Sequence, residues 1–108
     1  MVGQIEINST PDVVRFLDDL INELYKKEYF GFIESAEKYV SDIYKAIPDR
    51  IKKTTHKKTP NNIKYLGSNY IFYKVNPRTT WYIFFEKNEN YYLITGIINN
   101  NSCEANEL

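Results

Sequence analysis

Lys74 and Arg78 stand on either side of Asn76–Pro77 in the stretch YKVNPRTTWYIFF. Asn-Pro favours a turn, so two cations would flank one turn and both could reach one phosphate. Arginine offers a planar fork of donors with a fixed charge, and lysine adds a point charge. During attack on a phosphodiester they would stabilise the charge growing on the phosphorane. The plainer reading of the same pair is two solvated turn residues.

Other candidates surround this pair. Residues 50–64 hold six bases and no acid, whereas residues 1–49 hold ten acids and five bases, so a neutral chain carries one basic block. Phosphate contacts need a patch rather than a net charge, so Lys52, Lys53, Lys57, Lys58 and Lys64 could guide a nucleic acid, or simply solvate a surface. Trp81 alternates with Ile83 and Phe85. That spacing suits a core strand, which is the default reading; the other is a platform on which a base stacks. Asn101, with Asn99 and Asn100, could hydrogen-bond RNA but cannot move protons. His56 has the right chemistry for proton transfer, but it lies among cations in a segment without apolar support and reads as solvated and idle. Cys103 is the only cysteine, which excludes an internal disulfide, and it has no histidine partner nearby. No His/Cys/carboxylate spacing suggests a metal and no Gly-rich loop suggests a nucleotide cofactor, so neither is expected.

These residues need a scaffold, and 108 residues suit a single domain spanning 1–108. GQIEINS alternates weakly, as a short first strand. Ser9 or Thr10 then caps a helix that Pro11 and Asp12 favour, with Val13, Leu17, Leu20, Ile21 and Leu24 on one stripe. Gly31 breaks the pattern within KKEYFGF. A second stripe (Phe32, Ala36, Tyr39, Val40, Ile43, Ala46, Ile47) follows, and Pro48 is expected to end that helix. DRIKKTTHKKTPNN reads as a surface loop. Three runs rich in β-branched and aromatic residues, SNYIFYKVN, TTWYIFFEK and YYLITGIIN, form an antiparallel meander. The last eight residues read as a fraying tail. The expected fold is α+β, in the order β-α-α-β-β-β. A helical hairpin would pack on one face of a small twisted antiparallel sheet, leaving the other face free for binding. No run is long and apolar enough for a membrane span, nothing early has a signal-peptide core, and the chain reads as cytoplasmic.

In this order and length, with YKKEYFGF in the elbow and TTWYIFF in the second meander strand, the chain resembles the RelE/ParE toxins of bacterial toxin–antitoxin pairs. The resemblance spans roughly residues 5–105. It implies a toxin silenced by a cognate antitoxin protein. In the RelE branch the activity is ribosome-dependent, metal-independent cleavage of mRNA, with the ribose 2′-hydroxyl as nucleophile. In the ParE branch it is inhibition of DNA gyrase without hydrolysis. Lys74 sits where the nuclease branch keeps a basic residue on the first meander strand. Arg78 lies near the place of a second-strand arginine, although the matching position is Trp81. Thr95 and Gly96 replace an Arg-Tyr pair, and Asn101 stands where a late histidine is usual. The favoured expectation is an mRNA endonuclease with Lys74 and Arg78 as catalytic phosphate contacts. The alternative is a gyrase inhibitor or a catalytically inactive relative acting only by protein binding.

Overall fold

A computed structural model describes residues 5–26, 33–53 and 56–108. The elbow from Lys27 to Phe32, and Gly3 and Gln4 of the first expected strand, lie outside them. Strand β1 runs Glu6–Ser9, helix α1 Pro11–Lys26, helix α2 Ile33–Lys53 and the short strand β2 Lys57–Lys58. The meander is β3 (Asn69–Asn76), β4 (Thr79–Asn88) and β5 (Tyr91–Asn99). Two 3-10 segments, Asn61–Leu66 and Cys103–Glu107, complete the chain.

Thr10 is the cap of α1. Its hydroxyl accepts from the Val13 N–H, and its own N–H donates to the Ile94 carbonyl at 3.0 Å, which ties the helix start to the sheet. The expected stripe buries Val13, Leu17 and Leu20.

Helix α2 does not end at Pro48 but runs five residues further. The proline removes one helical N–H donor. Ile43, Ile47 and Ile51 continue the apolar stripe through it, and Ile51 is only 4% exposed. The first part of the expected loop is therefore a helical turn anchored by buried Ile51. The remainder supplies β2 and a 3-10 segment rather than open coil.

The sheet order is β1-β5-β4-β3-β2. The three-stranded meander is antiparallel as expected, but β1 lies parallel to β5, so the five-stranded sheet is mixed. Side chains alternate across it. Ile71 on β3, and Trp81, Ile83 and Phe85 on β4, meet the helices in the main core. Thr95 is an extra residue in β5, between the pairs Phe84–Gly96 and Phe85–Ile94. This bulge lets Ile94 and Ile97, three residues apart, both face the helices.

The opposite face is not free. Ile63, Tyr70 and Phe84 form a second buried cluster there, flanked by Leu66, Tyr82, Ile98 and Leu108. The 3-10 segment Asn61–Leu66 is seated by glycines. A Cβ on Gly96 would stand 2.9 Å from the Leu66 carbonyl, and one on Gly67 would stand 2.8 Å from the Phe85 nitrogen. The Thr95 hydroxyl donates to the same Leu66 carbonyl at 2.6 Å. The chain end packs here as well: Glu107 accepts from Asn62 and Glu104 from Tyr65. The last residues are a small cap on the outer face, not a fraying tail.

Candidate functional site

The turn Pro77–Arg78 joins β3 to β4, and two asparagines fix it. The Arg78 N–H donates to Asn76 Oδ1 at 2.8 Å. Asn100, just beyond β5, accepts from the Thr80 N–H and donates to the Arg78 carbonyl, each at 3.0 Å, while its own N–H donates to the Thr80 carbonyl. Asn99 Oδ1 in turn accepts from the Asn101 N–H at 2.8 Å. The asparagine run thus serves first as a backbone clamp.

Arg78 is exposed at the tip of this clamped turn. Lys74 is exposed and pairs with Thr80. Tyr73 and Val75 pack toward the main core, so alternation sets Lys74 on the outer face. Val75 is unpaired in the ladder, a bulge that bends β3 into the turn. No ion pair engages Lys74 or Arg78 among the described residues.

Beside the turn opens a cleft of about 490 Å³ between α1 and the end of the sheet. Phe16, Leu20, Leu24, Trp81 and Ile97 give it an apolar floor. Asn76, Thr79, Asn99, Asn101 and Ser102 form a polar rim with Glu23 and Tyr39. Trp81 is 2% exposed, its Nε1–H donates to the Tyr39 hydroxyl at 3.1 Å, and Phe16 meets its ring edge-on at 6.3 Å. It is a wall of the core and offers no open ring to a stacking base. Asn101 is exposed on the rim.

The basic block is dispersed rather than gathered at the turn. Lys52 is exposed in the last turn of α2, and Lys53 ends that helix. Lys57 and Lys58 are exposed on β2, opposite Tyr70 and Asn69, and Lys64 is exposed on the outer cap. Tyr70 and Lys74 are four residues apart on β3, roughly 13 Å.

His56 differs from its sequence reading. It is half-buried, with Phe85 and Tyr92 edge-on at 5.1 and 5.8 Å, and its Nε2 lies 2.9 Å from the Ile51 carbonyl. A carbonyl oxygen only accepts, so Nε2 carries the proton. The ring caps the C-terminal end of α2 and is only partly solvated. It packs at Phe85, four residues along β4 from Trp81, and so away from the Arg78 turn.

Sequence reasoning did not single out Phe16, Tyr39, Asn76 or Thr79 as site residues. The spacing of Tyr39 marked only a helical stripe, and nothing local shows that two separate helices and three strand ends converge. Among the described residues no group of three or more His, Cys, Asp or Glu could hold a metal. Among the described residues no helix is long and apolar enough to cross a membrane. Comparison with family models, curated proteins and solved structures finds no match.

Proposed function

We propose that the chain is the toxin of a toxin–antitoxin pair, of RelE/ParE type, acting as a ribosome-dependent mRNA endonuclease. The observation that carries this reading is the clamped Pro77–Arg78 turn. It holds an arginine outward on a fixed backbone, and Lys74 stands four residues earlier with no ion pair among the described residues. Two such cations would bind the scissile phosphate and stabilise the phosphorane formed when the neighbouring 2′-hydroxyl attacks. The helix–helix–meander order on a small sheet supports the same reading.

One observation favours the second reading, a gyrase inhibitor or a relative that acts only by binding protein. His56, the one histidine, packs on Phe85 and Tyr92 and not at the turn, so no imidazole stands ready to move the 2′-hydroxyl proton.

The test is expression of the chain from a tight promoter, with new RNA 5′ ends mapped on translating messages. Cleavage at ribosomal A-site codons, lost in the Lys74→Ala/Arg78→Ala double variant, is expected. Growth arrest with intact messages would refute cleavage. A DNA-damage response in that case would point to gyrase.

A further inference from the structure

We infer that the cleft beside the Arg78 turn receives a single ribonucleotide base, splayed out of its strand, while the attached phosphate rests on Arg78. This deepens the RNA reading above by naming where a base would go.

The first argument is position. Asn76 and Thr79 line the cleft, and Pro77 and Arg78 lie between them in the chain, so the cation sits one residue from the rim. A nucleotide whose phosphate met Arg78 would bring its base to this opening.

The second argument is chemistry. The volume of about 490 Å³ falls within the range of small-ligand sites, which pair an apolar floor with a few converging polar groups. Phe16 is 39% exposed and offers the ring that buried Trp81 does not. Unpaired bases are held by such stacking and by hydrogen bonds to their Watson–Crick edges. Amides suit those edges because each carries both donors and an acceptor. Asn99 spends its oxygen on the Asn101 N–H and keeps its NH₂ donors. Asn101 adds a full amide on the rim.

Trp81 is the only tryptophan and forms one wall of the cleft, so its fluorescence reports occupancy. The purified chain is titrated with the four ribonucleoside monophosphates, with ribose 5-phosphate, and with N-acetyl-leucinamide as a side-chain mimic. Saturable changes with the nucleotides, and none with ribose 5-phosphate, are expected. Phe16→Ala should weaken binding about tenfold or more, as loss of one stacked base does. Phe16 is partly exposed, and an unchanged urea midpoint would show that the fold is kept. Asn101→Ala should weaken binding less. No response to any nucleotide overturns the inference, as does saturation by the leucine mimic alone, which would assign the cleft to a protein segment. The two readings fail separately. Uncut messages with nucleotide binding retained refute cleavage only, and cleavage without any nucleotide response refutes only the cleft.

Discussion

The side-chain amide of Asn100 donates to the backbone carbonyl of Arg78 at 3.0 Å, fastening the end of β5 to the turn that opens β4. The same side chain accepts from the Thr80 N–H, so one residue holds both sides of the turn. Asn100→Ala should cost about 1–2 kcal/mol and raise amide exchange at Thr80. Urea unfolding and hydrogen exchange check this. Unchanged exchange at Thr80 would mean that the turn holds itself.

Gly67 and Gly96 should both resist substitution. Gly67 has φ of +151°, which side chains rarely adopt, and its added Cβ would meet the Phe85 backbone. Gly96→Ala presses on the Leu66 carbonyl and should cost about 1–3 kcal/mol, an overpacking penalty. A thermal midpoint for Gly96→Ala equal to that of the parent would show that the 3-10 segment shifts freely.

His56→Ala should lower stability by about 1–2 kcal/mol through lost ring packing and the lost bond to the Ile51 carbonyl. Lys57→Ala, one residue away and exposed, should change it by less than about 0.5 kcal/mol. Urea curves of equal midpoint for the two variants would return His56 to the solvent.

Stability should fall in alkali. Burial, and then the neighbouring Tyr82, raise the Tyr70 hydroxyl above its ordinary 10.0. Burial, and then Asp18, raise Tyr44 likewise. Below pH 10 both states keep these protons and the full stability is present. Above it the unfolded chain ionises first, so stability drops as pH rises toward the higher folded values. Unfolding curves from pH 8 to 11 measure the slope, and Tyr70→Phe should flatten part of it. An equal slope in that variant would remove Tyr70 from the account.

The meander and the first helix were legible because their signals are local: alternation of β-branched and aromatic residues, a capped start, one apolar stripe. Pro48 misled because a proline's cost is local, whereas Ile51 is repaid only by contact with the sheet. The outer cap escaped for a similar reason. Ile63 and Leu66 are two apolar residues in a polar stretch, and their value depends in part on Gly96, 30 positions after Leu66. At the site, the turn cations could be read and a core role was the default for Trp81, but how fully it is covered was not legible. Alternation assigns residues to faces without saying how closely the helices cover them. His56 was misjudged from its charged neighbours in sequence, which are not its neighbours in space.

The parallel pairing of β1 with β5 sets an order of assembly. Glu6–Ser9 leaves the ribosome well before Tyr91–Ile94, its ladder partner among the described residues. Helices α1 and α2 can pair early, but β1 must wait for β5 to be made. Sheet completion is therefore a late, long-range step that sets a floor on folding time. A chain cut before Tyr91 would lose two strands rather than one.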